Sequence, residues 1–189
     1  MSAPQVNPAL VPDGPSVQAA TERWLLEAVI GLNLCPFARA PQLQGRVRIA
    51  VSQARHVDGF LDDLDAELLR LRDTPQDLLE TTLLVHPSLF SDFLTFNDFA
   101  NVVDEIIEEH ALVDDIEVVL FHPDLVFEGQ SEDSPENLPN RSPFPMLHLL
   151  RTESLERAVP DGDTSEILAR NRETLRGWTA ADWRQRWAG

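Results

Sequence analysis

Two apolar, strand-like runs in this chain each end in His-Pro, with a helix-periodic stretch between them. Thr81-Thr82-Leu83-Leu84-Val85 leads into His86-Pro87, and Ile116-Glu117-Val118-Val119-Leu120-Phe121 leads into His122-Pro123. Short runs of this composition closed by proline read as strands. From Ser88 to His110 the residues Phe90, Phe93, Leu94, Ala100, Val103 and Ile107 recur at helical spacing, so the stretch is a crossover. A strand-helix-strand unit within one sheet is right-handed and its strands run parallel. Both histidines are then placed on the carboxyl rim, where open α/β sheets gather their ligands.

The remaining elements extend this pattern. Arg46-Val47-Arg48-Ile49-Ala50-Val51 alternates charged and apolar residues as a half-buried strand does, and Phe60, Leu61, Leu64, Leu68 and Leu71 mark a helix that Asp58 can cap and Pro75 ends. Val17, Ala20, Trp24, Ala28, Val29 and Leu32 form an earlier helix face. A short strand is predicted around Met146 to Arg151, after an irregular stretch from Asp124 to Pro145. A capping box, Asp163 through Glu166, opens the last helical region. The expected architecture is α/β: a single-domain sandwich over residues 16–189, with a mixed, mostly parallel sheet of about four strands and helices packed on it. Residues 1–15, with Pro4, Pro8, Pro12 and Pro15, read as a disordered proline-rich lead-in.

Composition narrows the chemistry. The net charge of −17 over 189 residues repels phosphate backbones and anionic lipid, which argues against nucleic acid and membrane as partners. All fifteen cations are arginine and there is no tyrosine, so a Schiff-base lysine, a phosphate-loop lysine and a phenolic acid are excluded. The one cysteine, Cys35, cannot form an internal disulfide, which fits a reducing cytoplasm. No stretch reads as a signal peptide or a membrane span.

Several motifs together resemble a known family. Glu22-Arg23-Trp24-Leu25, Gly31-Leu32-Asn33-Leu34-Cys35-Pro36-Phe37-Ala38, the two His-Pro units, Asn97-Asp98-Phe99 and Asn140-Arg141-Ser142-Pro143-Phe144-Pro145-Met146-Leu147-His148 occur in an order similar to that of the bacterial family catalogued as domain of unknown function 1415. The resemblance runs from Thr21 to the C-terminal helix. It implies a cytoplasmic, single-domain bacterial protein and carries no activity. The family often has tyrosine where this chain has Phe144, so no shared role there requires a phenol.

Function is therefore read from the residues, and three readings stand. In the first, a small-molecule hydrolase or transferase uses Cys35 as nucleophile, His122 or His86 as base and Asp124 to orient an imidazole, while Asn140 and Arg141 hold an anionic substrate. Arg141 lies in a turn stiffened by Pro143 and Pro145, and its planar fork suits a carboxylate or phosphate; its alternative role is an internal ion pair. In the second, His86, His122 and either His148 or Cys35 hold zinc or another transition metal. The third is a non-catalytic module that binds a protein partner through Trp178, Trp183, Trp187 and its acidic surface. Each histidine also has a plain structural role open to it, closing a strand by hydrogen-bonding a loop carbonyl.

Overall fold

The computed structural model describes residues 13–159 and 162–187. Residues 1–12 of the expected lead-in lie outside them. Gly14 and Pro15 instead open the first helix, α1 (Gly14–Trp24), whose N-terminus is capped by the Asp13 carboxylate accepting the Ser16 amide at 2.8 Å. The helix runs on through a π turn, Leu25–Ile30. A short α2 (Arg39–Leu43) leads to β1 (Val47–Val51), then α3 (Val57–Asp73) and β2 (Thr81–Val85). The predicted crossover helix is divided into α4 (Phe93–Asp98) and α5 (Ala100–Glu109), followed by β3 (Ile116–Phe121). A 3₁₀ turn, Pro135–Asn140, lies in the long irregular stretch before β4 (Met146–Arg151). Three helices complete the described chain: α6 (Thr152–Ala158), α7 (Ser165–Thr174) and α8 (Ala180–Trp187).

The four strands form one sheet in the order β1-β2-β4-β3. β1 and β2 pair in parallel, but β4 enters between β2 and β3 and is antiparallel to both. The expectation of a mostly parallel sheet is therefore corrected to a mixed sheet with one parallel pair. The physical reason lies in the connection from Phe121 to Met146, which contains no long helix to carry the chain to the opposite rim. Because β4 starts at the rim where β3 ends, it must run back against its neighbours. β2 and β3 still point the same way, separated by β4.

Strand alternation sends neighbouring side chains to opposite sheet faces. On one face Ala50, Leu84, Leu147, Leu149 and Ile116 pack against Phe60, Leu64, Leu68 and Leu71 of α3 and against Phe96, Phe99, Val103 and Ile107. On the other, Leu83, Val85 and Met146 meet Val17, Trp24, Leu25, Ala28 and Val29 from the N-terminal helix, with Leu175, Trp183 and Trp187 from the C-terminal region. β2 is buried at every residue, as a central strand covered on both faces should be. Arg151 fastens the end of β4 by donating to the carbonyls of Leu71 (2.5 Å), Thr74 (2.6 Å) and Leu79 (3.1 Å). These are the orphan acceptors and exit loop of α3, which a nearby guanidinium satisfies.

A candidate anion pocket at the sheet rim

The carboxyl ends of β1, β2 and β3 and the start of β4 meet at one rim. The His86 amide donates to Pro145 O at 3.0 Å and the His122 amide to Asn140 O at 3.2 Å, so residues 140–145 run between the two strand ends. Both histidines and Arg141 therefore share this rim. Their side chains, however, point into different surroundings.

His86 and His122 are each only 1% exposed. Their rings turn toward the α3 face, where His86 lies 5.3 Å from the Phe60 ring and His122 lies 5.5 Å from Phe93 and 5.7 Å from Phe96. Nδ1 of His86 accepts the amides of Ser88 (3.1 Å) and Leu89 (2.9 Å), and its Nε2 faces Ala54 O at 2.9 Å. Nδ1 of His122 accepts the Asp124 amide at 3.0 Å, and its Nε2 faces Phe90 O at 2.9 Å. A nitrogen that accepts an amide carries no proton, which assigns both rings as neutral Nε2–H tautomers donating to carbonyls. Burial pushes both pKa values below the ordinary imidazole value, which suits a neutral ring. With both nitrogens engaged, neither ring has a lone pair left for a substrate proton or a metal.

The expected Cys-His centre is not assembled. Cys35 packs against the cluster on the tryptophan face, across the sheet from both imidazoles, and burial pushes its thiol pKa up. His148 faces that side too, 5.8 Å from the Phe121 ring, and burial lowers its pKa to about 4. It is thus apart from His86 and His122. Among the described residues no three His, Cys, Asp or Glu side chains stand together as a metal site requires.

Asp124 orients His122 with its backbone amide, while its carboxylate pairs with Arg184 at 2.6 Å. Asn140 contributes its carbonyl, as described. Arg141 is 4% exposed and mainly organises the loop: Nε donates to Leu125 O at 2.9 Å and Nη2 to Glu132 O at 2.8 Å. Asn137 completes that loop, accepting the Phe127 amide at 3.0 Å and donating to Ser131 O at 2.8 Å. The expectation of Arg141 as a free fork is therefore corrected. Its Nη1 alone is left without a hydrogen-bond partner among the described residues.

That side chain nonetheless reaches a pocket of about 140 Å³, with Asp124, Ser142, Trp183, Arg184 and Trp187 among its walls. The α8 face contributes Trp183, Arg184 and Trp187 at the three- and four-residue spacing that puts them on one side of a helix. Trp183 Nε1 donates to Arg141 O at 2.9 Å, tying α8 to the loop. Trp187 Nε1 is buried with no hydrogen-bond partner among the described residues. Arg141 has its pKa lowered first by burial and then by Arg184, an indication that two guanidinium groups converge here. Of the tryptophans read as a docking surface, Trp183 and Trp187 are core residues, each 3% exposed, and Trp178 is half-buried against the same cluster. Arg184 escaped the sequence reading because only the folding of α8 across the rim brings it near Arg141; nothing in its local sequence marks it.

The fold and this pocket describe an α/β protein with a mixed four-stranded sheet and a rim pocket at which Arg141 and Arg184 meet. The chain belongs to the family described as protein of unknown function DUF1415, whose model matches residues 16–185. No curated protein and no solved structure matches the chain. Among the described residues no helix is long and apolar enough to cross a membrane.

Proposed function

We propose that the protein binds a small organic anion, carrying a carboxylate or phosphate group, in the rim pocket. The observation that supports this reading is the convergence of Arg141 and Arg184 on one cavity in a chain of net charge −17. In a strongly negative protein, an anion is drawn only to a local reversal of the field. Arg184, whose guanidinium the ligand shares with the Asp124 carboxylate, is the principal clamp, Arg141 adds its Nη1 hydrogens, and Trp183 with Trp187 forms an apolar wall for the organic part of the ligand. The indole N–H of Trp187, without a partner among the described residues, is a further donor for an acceptor group on the ligand.

Calorimetric titration with inorganic phosphate, acetate and benzoate tests this, with quenching of tryptophan fluorescence as a second readout. Loss of a charge-assisted hydrogen bond in Arg184→Ala weakens binding by about 10- to 100-fold while the circular dichroism spectrum stays unchanged. Absence of binding for all three probes at millimolar concentration, or equal binding by Arg184→Ala, overturns the reading.

A further inference from the structure

β1 is an edge strand with a groove along its free side. Its even-numbered residues pair with β2: the Glu80 amide reaches Arg46 O at 2.9 Å, and the Ser52 amide reaches Val85 O at 2.9 Å. In a strand the backbone groups alternate sides, so the N–H and C=O groups of Val47, Ile49 and Val51 point outward. Among the described residues they have no backbone partner. Edge strands of stable monomers carry prolines, bulges or inward charges that block further pairing. β1 has neither proline nor bulge, and its central charge, Arg48, is drawn aside by Glu67 in a two-pronged pair at 2.7 and 2.9 Å.

The groove beside this edge is walled by Ala50, Ser52 and Ala54 from the strand side and by Gly59, Asp63 and Ala66 from α3. The Arg48–Glu67 pair lines the same groove, and the small residues beside it leave room for a second backbone. Asp63 accepts the Ser52 hydroxyl at 2.6 Å and makes no salt bridge among the described residues.

We infer that the β1 edge is the interface of a two-fold homodimer, in which two β1 strands pair antiparallel about Ile49 and join two sheets into one of eight strands. The strand matches itself in this register. Val47 lies opposite Val51 of the second copy, Arg48 lies opposite Ala50, and the outward backbone groups of Ile49 meet their own copies. Arg48 of each protomer is then diagonal to Ser52 of the other, within reach of the Asp63 carboxylate held there. The side chain of Arg48 is 40% exposed and its Nη1 makes no hydrogen bond among the described residues, so it can serve that second carboxylate while Nε and Nη2 keep Glu67. This charge complementarity selects a second copy over an unrelated strand. The overall like charge of the two protomers is screened beyond about 8 Å at physiological ionic strength, whereas the local pairs are not.

Sedimentation velocity at physiological salt, through a dilution series in the micromolar range, tests the inference. The wild-type chain sediments at twice the 21.2 kDa protomer mass and dissociates on dilution. Ile49→Pro removes an outward amide while sparing the bonds to β2, and Ala66→Glu places bulk and negative charge in the groove from an exposed helix position. Both variants sediment as monomers with unchanged circular dichroism. Hydrogen exchange at the amides of Val47, Ile49 and Val51 slows with concentration in the wild type alone. A wild type that stays monomeric overturns the inference, as does a dimer that Ala66→Glu leaves intact; should Ile49→Pro fail to fold, Ala66→Glu alone decides.

Discussion

Replacing His86 separates a structural imidazole from a catalytic or metal-binding one. In His86→Ala three backbone groups lose their partners inside the protein: the amides of Ser88 and Leu89 and the carbonyl of Ala54. A group left fully buried and unsatisfied costs about 1–3 kcal/mol; Ser88 is exposed and Leu89 and Ala54 are half-buried, so water meets part of this cost, and the ring's edge-on contact with Phe60 at 5.3 Å is lost as well. Some of the cavity fills with water, so the expected loss is about 3–5 kcal/mol. That is a large share of a domain stability of about 5–15 kcal/mol. His86→Asn is the informative control, because its side-chain oxygen takes the place of Nδ1 and still accepts both amides. It should cost only about 1–2 kcal/mol, the share of the Ala54 carbonyl and the lost packing. Urea denaturation with a common slope measures both. Equal losses for Ala and Asn, or a loss below about 1 kcal/mol for Ala, would refute the assignment of the ring as a backbone clasp.

Further expectations follow from the same contacts. Arg141→Ala should destabilise the 122–145 loop, seen as faster hydrogen exchange at the amides of Leu125 to Asn137, because two of its donors hold loop carbonyls. Asp124→Asn should tighten phosphate binding by freeing Arg184 from its 2.6 Å partner, a change that calorimetry reads directly. Stability should be fully present above about pH 6.5 and fall as pH drops toward 4, since the unfolded chain protonates its histidines first while burial holds His148 at about 4. The His148 share is at most about 3 kcal/mol, and His148→Leu should flatten the profile by that amount. Cys35 should react with iodoacetamide more slowly than free cysteine near neutral pH, because burial raises its pKa; a faster reaction would restore it as a functional thiol.

The strands and their ends were legible because they rest on local chemistry. β4 begins at Met146 and ends at Arg151 as its alternation predicts, and the His-Pro pairs do close β2 and β3. Strand order was not legible, because the choice between a place beside β3 and a place between β2 and β3 is made by long-range packing of Leu147 and Leu149 against α3. The site was half legible. The His-Pro pattern put His86 and His122 on one rim, and Arg141 joins them there, but an expectation that the three line one pocket fails because the imidazoles turn toward α3 and only Arg141 reaches the pocket. A histidine beside Phe60 and Phe90 has an apolar ring environment and backbone partners, and only the fold brings those partners to it. Arg184 and Trp187 enter the pocket from a helix far along the chain, so the second arginine of the site had no neighbour in sequence to announce it.

The insertion of β4 between β2 and β3 sets an order on folding. β1, α3 and β2 form a parallel unit from consecutive residues, and this unit can dock as soon as Val85 is available. β3 has no such option, since among the described residues its sole strand partner is β4 and residues 122–145 must first be ordered to deliver that strand. During synthesis at about 5–20 residues per second, β3 therefore waits for a second or more with both edges unpaired. The Asn137 and Arg141 contacts hold together the loop that delivers Met146 to its place beside β3. A chain interrupted just before β4 would keep its first parallel pair and leave β3 as a sticky, partnerless strand.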